Sequence, residues 1–225
     1  MLSIIIPALN EGAHIVACLE ALAPLRARAH EVIVVDGGSV DETPALAGKL
    51  ADTVLGASPG RAMQMNAGAA VARGEVLLFL HADTRLPPGA DMLIAAALAT
   101  GYSWGRFDVA ISGDSALLGM VAAMMNLRSR LTGIATGDQA MFVQRDTFHA
   151  LGGFPVLPLM EDIALSRLLK HVSPPACLRQ RAVTSGRRWQ QRGVLRTVCL
   201  MWWLRLRFFL GADAGSLERA YRSVR

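Results

Sequence analysis

Five short segments set carboxylates, guanidinium groups and glycines at spacings that suit phosphate and hydroxyl chemistry. Residues 80–84 read L-H-A-D-T. Asp83 follows directly on an apolar run, where a carboxylate is a good ligand for a hard cation such as Mn²⁺ or Mg²⁺ beside phosphates. His81 either adds an imidazole or lines the pocket. Residues 34–39 read V-V-D-G-G-S. Asp36 can hydrogen-bond a base or ribose, or simply end a strand and help cap a helix, and Gly37-Gly38 allows close backbone approach. Residues 159–164, L-M-E-D-I-A, put Glu161 and Asp162 at the start of a predicted helix. Acids there complement the helix dipole, and one of them can act as general base. Residues 185–190, S-G-R-R-W-Q, offer Arg187, Arg188 and Trp189, and paired arginines grip a diphosphate bidentately. Residues 60–69, G-R-A-M-Q-M-N-A-G-A, set Arg61, Gln64 and Gly68 on one helical face with Asn66 adjacent. That helix either packs through its alanines or turns its N-terminal part to a ligand.

The elements that must hold these residues alternate. Apolar runs at 2–6, 31–36 and 76–80, with a weaker one at 53–55, read as strands. Residues 11–23 and 61–72 read as helices, and Pro87-Pro88 opens another that runs to about 98. Ser39 and Glu42 have the spacing of a capping box for a helix between them and residue 53. Strands alternating with helices predict βαβ units and a mostly parallel sheet. In such sheets ligands sit at the carboxyl ends of the strands, where 7–11 (P-A-L-N-E), Asp36 and Asp83 fall. Past Thr100 the rhythm changes. Phe107, Val109 and Ile111 alternate with Asp108 and Ala110 as in a half-exposed strand. Residues 116–127 and 161–170 read as helices, 140–143 as a strand, and the chain from 194 onward as helical. No repeat or low-complexity linker is visible.

The 225 residues, 52% hydrophobic and 18% charged, describe a globular chain able to bury its own core, not a disordered one. Three cysteines without metal-like spacing read as reduced thiols in a cytoplasmic protein. The opening M-L-S-I-I-I-P lacks the basic segment of a secretory leader, and no window is as long and apolar as a membrane span. Charge is uneven: residues 179–225 hold 11 arginines and two acids, which suggests a polyanionic partner. Trp202-Trp203 beside Arg205 and Arg207 suits the surface of an anionic membrane on its inner, cytoplasmic face. A homodimer interface explains the same residues. Nucleic acid is the less favoured use of the tail, because a basic helix packed on its own domain or on lipid accounts for it. No G-x-G-x-x-G follows the first strand, which argues against a nicotinamide-dependent oxidoreductase.

Taken in order, P-A-L-N-E, V-V-D-G-G-S-x-D-x-T, R-x-x-Q-M-N-x-G, L-H-A-D, G-D-Q and E-D resemble the family-2 glycosyltransferases over about residues 1–190. The trailing R-R-W resembles the Arg-Trp motif of processive members. The chain looks especially like a small bacterial subgroup associated with radical-SAM or selenium-domain proteins. The resemblance implies an α/β GT-A fold, a Rossmann-like, mostly parallel sheet flanked by helices over 1–190. Residues 191–225 would be a basic, aromatic helical extension packed on the domain, a second subunit or a membrane. It also implies a UDP- or GDP-sugar donor, an acceptor hydroxyl and inversion at the sugar carbon. Pro7, Ala8, Asn10, Glu11 and Asp36 would surround the nucleoside, with Arg61, Gln64, Asn66 and His81 completing the donor site. Asp83 would be the last acid of a D-x-D metal motif whose first acid is replaced here by His81. Asp162 would be the base, supported by Glu161. Gly137, Asp138 and Gln139 would border the acceptor, and Arg187, Arg188 and Trp189 the acceptor or diphosphate. A nucleotide-sugar-binding or membrane-docking module without turnover is the other reading, separated from the first by donor hydrolysis.

Overall fold

The computed structural model describes residues 1–223, with the side chains of Arg188, Gln191, Arg192, Arg222 and Ser223 outside that description. From the N-terminus the elements are β1 (Leu2–Ala8), α1 (Gly12–Arg26), β2 (Glu31–Asp36), α2 (Thr43–Ala47), β3 (Thr53–Gly56) and α3 (Arg61–Val71). There follow β4 (Val76–Phe79), β5 (Thr84–Arg85), α4 (Ala90–Ala99), β6 (Trp104–Ser112) and α5 (Ala116–Thr132). A 3-10 turn (Gly137–Gln139) precedes β7 (Phe142–Gln144), α6 (Arg145–Ala150), α7 (Glu161–Leu169) and β8 (Ala176–Ser185). Three helices close the chain: α8 (Arg187–Arg192), α9 (Val194–Phe209) and α10 (Ala214–Ser223).

Among the described residues eight strands join one sheet in the order β3-β2-β1-β4-β7-β6-β8-β5. The β3-β2-β1-β4 half is parallel throughout. β7 runs antiparallel to both β4 and β6, and β5 antiparallel to β8, whereas β8 is parallel to β6. The continuous apolar runs of β1 and β2 follow from burial on both faces. Ile4, Ile6, Val32 and Val34 pack beneath α1 with Ile15, Leu19 and Leu22. Ile5, Ile33 and Val35 face the opposite layer, with Ala62, Met65 and Ala69 of α3. α3 lies so close that a Cβ on Gly68 would stand 2.5 Å from Ile5 Cγ2.

Residues 107–112 alternate buried and more exposed positions as expected. The proposed capping box does not form. α2 starts at Thr43, next to Pro44, and Ser39 Oγ instead accepts the Asn10 N–H at 2.9 Å. β5, α6 and β8 have no counterpart in the expectations from sequence.

α5 is moored to β6 by a polar knot. The Asn126 amide accepts the Val109 N–H at 2.8 Å and donates to the Val109 carbonyl at 3.0 Å. The fully buried Arg106 is paired with Asp108, which Arg130 reaches at 2.6 Å. The C-terminal helices fold back over this layer. Leu204 and Leu217 are buried with Ile134, Met160 and Ile163, and Val198 packs on the cluster formed by Val109, Ile111, Leu118 and Met125. Among the described residues no helix is long and apolar enough to cross a membrane.

Candidate active site

The carboxyl ends of β1 and β2 form a laced platform. Asn10 takes a left-handed conformation (φ 55°) and its Oδ1 accepts the Val40 N–H at 2.9 Å. Thr43 Oγ1 accepts the Glu11 N–H at 2.8 Å. Asp36 Oδ2 accepts the N–H groups of Gly38 and Ser39, both at 3.0 Å, while its Oδ1 is buried without a partner. A buried carboxylate oxygen left this way is an acceptor awaiting a donor.

Three predicted contact residues are engaged elsewhere. Gln64 is buried, and its Nε2 donates at 2.8 Å to the carbonyls of both Ala8 and Val35. Its amide therefore braces the two strand ends, and a Cβ on Gly37 would stand 2.9 Å from it. Asn66 donates to the Phe154 carbonyl at 2.8 Å and accepts its N–H at 2.9 Å. Gln139 is fully buried, and its Oε1 accepts the Thr136 N–H at 3.1 Å. These side chains shape backbone, and none of them lines the cavity described next.

Over the platform opens a cavity of about 1180 Å³, bounded by Pro7, Glu11, Arg61, His81, Asp83 and Asp138 on one side. Arg187 and Trp189 also line it. Burial pushes the Glu11 carboxyl up; Arg187, 3.8 Å away, opposes this and the charge of Asp83 adds to it. Arg187 also touches His14, so it bridges α8 to the start of α1. His81 Nδ1 lies 3.3 Å from Asp138 Oδ1, and a Cβ on Gly137 would stand 2.5 Å from His81 Nε2. His81 is thus folded onto the 3-10 turn. Among the described residues no group of three His, Cys, Asp or Glu converges to hold a metal. Asp83 with His81 nearby fits a cation only where phosphate oxygens complete the shell.

The same turn meets α7. Met160, left-handed at φ 69°, caps α7, and Asp162 Oδ2 accepts the Gly137 N–H at 2.9 Å. Glu161 is buried; burial and then the neighbouring Asp162 raise its pKa, against Arg61 at 3.9 Å. Arg188 lies where its side chain is outside the described residues. Two arginines of the cavity have no site role from sequence: Arg128 of α5 and Arg205 of α9. Arg205 falls opposite Arg196 and Arg207 on a helical wheel, and that offset is the available signal.

Comparison with known proteins agrees with this architecture. The model of glycosyl transferase family 2 matches residues 3–147, and the chain belongs to that family. A PGL/p-HBAD biosynthesis glycosyltransferase of Mycobacterium bovis (strain BCG / Pasteur 1173P2) is 39% identical over 108 residues, 45% of this chain and 42% of that protein. The aligned part thus spans less than half the length of that relative. The fold superposes on S. aureus TarS in complex with UDP-GlcNAc at TM-score 0.67 and 18% identity, covering 82% of this chain and 58% of that one. It also superposes on a mannosyltransferase from Pyrobaculum calidifontis in complex with GDP-Man and Mn²⁺ (TM-score 0.60, 22% identity, 81% and 56% coverage). Glucosyl-3-phosphoglycerate synthase from Mycobacterium tuberculosis, with Mn²⁺, UDP and phosphoglyceric acid, gives 0.59 at 20% identity, covering 80% and 68%. The fold is the α/β GT-A arrangement, whose parallel half carries the platform.

Proposed function

We propose that this chain transfers a sugar from a nucleoside-diphosphate sugar to an acceptor hydroxyl, with inversion at the sugar carbon. The observation that carries this reading is the partnerless buried Oδ1 of Asp36, on the platform whose Pro7 and Glu11 line the cavity together with Asp83. In this reading the Asp36 oxygen receives a donor from the base or ribose, Glu11 faces the nucleoside, and Arg187 borders the diphosphate. Asp83, with the donor phosphates, would hold a divalent cation, which would supply positive charge to the departing nucleoside diphosphate. Asp162 removes the acceptor proton as the hydroxyl attacks from the face opposite the leaving group. The Gly137 N–H donates to Asp162 Oδ2 at 2.9 Å and orients that carboxylate. Family membership and the nucleotides bound by TarS and the mannosyltransferase support a UDP- or GDP-sugar donor.

We further group the chain, on motif order, with the small radical-SAM or selenium-domain-associated subgroup, and place its activity on the cytoplasmic side. A thermal-shift screen of UDP- and GDP-sugars with and without Mn²⁺ tests the reading, because ligands of the folded state raise its stability. One donor should raise the melting temperature in a Mn²⁺-dependent way and be hydrolysed slowly. If no donor does either, the reading fails. His81 in place of an acid favours a second reading, a donor-binding module without turnover, which binding without any hydrolysis would select.

A further inference from the structure

The volume of the cavity, about 1180 Å³, lies above the ~300–1,000 Å³ typical of a single small-molecule pocket. Its far wall is of a different kind. Met124, Leu127 and Leu131 of α5 recur at helical spacing and face the cavity, as do Trp202 and Leu206 of α9. All five are exposed apolar side chains.

Into this wall two arginines are set. Nε and Nη2 of Arg128 and Nε of Arg205 are buried and have no hydrogen-bond partner. Buried guanidinium donors left unpaired are costly, so their placement has a cause other than stability. Burial, and then the charge of Arg205, lowers the Arg128 pKa to about 10. Burial lowers that of Arg205 as well. The carboxylates that act on both are Asp162 and Asp138. Of these two, Asp138 lines the cavity with both arginines.

We infer that Arg128 and Arg205 form an anion subsite for the acceptor, and that the α5–α9 wall receives its hydrocarbon part. The acceptor class is an amphiphile that carries its hydroxyl beside a phosphate-like head and an apolar chain. This rests on the transfer reading above only in calling the ligand an acceptor. Charge complementarity decides the head group: two forked cations with free N–H donors match a phosphate bidentately. The wall decides the tail, since side chains of Met, Leu and Trp give a polyol little to hydrogen-bond.

Calorimetry with dodecyl phosphate below its micelle concentration tests the inference, with inorganic phosphate and dodecanol as partial probes. Dodecyl phosphate should bind at least tenfold tighter than either. R128Q and R205Q should each weaken it about tenfold or more, the effect of losing one charge-assisted hydrogen bond, and R128K should recover part of the loss. Affinity for the nucleotide with Mn²⁺ should stay within about twofold in all variants, and melting curves should show them folded. Equal binding of inorganic phosphate would overturn the tail, and equal binding of dodecanol the head. Variants that lose nucleotide affinity instead would assign the arginines to the donor diphosphate and overturn the proposal. If the unaltered protein binds dodecyl phosphate but no nucleotide, the transfer reading fails while the amphiphile subsite stands.

Discussion

Asp91, in the first turn of α4, accepts from Arg28 Nε at 2.8 Å and Nη2 at 2.9 Å, and from His30 Nε2 at 3.1 Å. The Leu2 N–H donates to His30 Nδ1 at 3.1 Å, which leaves Nε2 as the proton-bearing nitrogen. Hydrogen bonds from Arg28, and then from His30, hold the Asp91 pKa down at about 2. A depressed carboxylate stabilises the fold above its ordinary value of 3.8 and loses that contribution as pH falls toward about 2. The shift corresponds to ~2 kcal/mol at most, less because Arg28 is half exposed and screened. D91N should therefore melt about 3–6 °C lower at pH 7, and the gap should close as pH approaches 2 in a thermal titration. Asp162 makes a sharper prediction. D162N keeps an oxygen for the Gly137 N–H but loses basicity. Sugar transfer should fall about 10²-fold or more while calorimetry finds donor binding unchanged, and near-normal turnover would reject the assignment. Asp36, Asp83 and Asp162 stand out in sequence because each follows a recognisable strand end or opens a helix. The amides of Gln64, Asn66 and Gln139 look like ligand contacts in sequence, but here they meet backbone groups such as Phe154, 88 residues on from Asn66.

α3 was read with nearly its observed bounds, and the reason Gly68 belongs there is steric. A Cβ would stand 2.5 Å from Ile5 Cγ2 and 3.0 Å from Val35 Cγ2, both on strands of the platform. G68A gains helix propensity of up to ~1 kcal/mol, but overpacking of this kind costs ~1–3 kcal/mol. The urea midpoint should fall with the slope unchanged, and nucleotide affinity should fall with it, because the strand ends carry Ala8 and Asp36. β8 went unread for the converse reason. Its centre, Arg179, Gln180 and Arg181, is exposed, and a shift in pairing register separates Phe107 from Asp108 on β6. A polar, irregular strand carries no period-two signal; its pairing comes from β6. The chain from 194 was read as helical, with Arg205 on the opposite side from Arg196 and Arg207, and α9 shows what separates them. Arg205 faces the cavity while Arg207 stacks on the Trp203 ring at 5.2 Å.

The whole molecule presents exposed apolar side chains on α5 and α9, among them Met120, Leu131, Leu195, Trp203 and Phe209. Beside them lie exposed Arg196 and Arg207, each worth about 1 kcal/mol near an anionic leaflet. Co-sedimentation with phosphatidylserine vesicles should be measurable at low salt, weaken as salt rises, and fall in an R196E/R207E variant. Arg205 belongs outside that test, since it points inward. A protein that stays in the supernatant and sediments as a dimer would assign these side chains to a subunit contact instead.

The position of β8 also sets a clock. Thr84 of β5 pairs with Thr184, a hundred residues later in the chain, and β6 takes β8 as its parallel neighbour from Ala176 onward. β1, β2, β3 and β4 need no residue beyond Phe79 to pair among themselves. Closing long loops delays contact formation. During synthesis the β1–β2 platform can thus be in register while the strand bearing Thr184 and Ser185, and the helices behind it, are still to come. Pulse-labelled hydrogen exchange on the refolding chain should find the amides of Ile5 and Val34 protected before those of Val109 and Ala182. Simultaneous protection of both pairs would mean that the two halves of the sheet form as one cooperative unit.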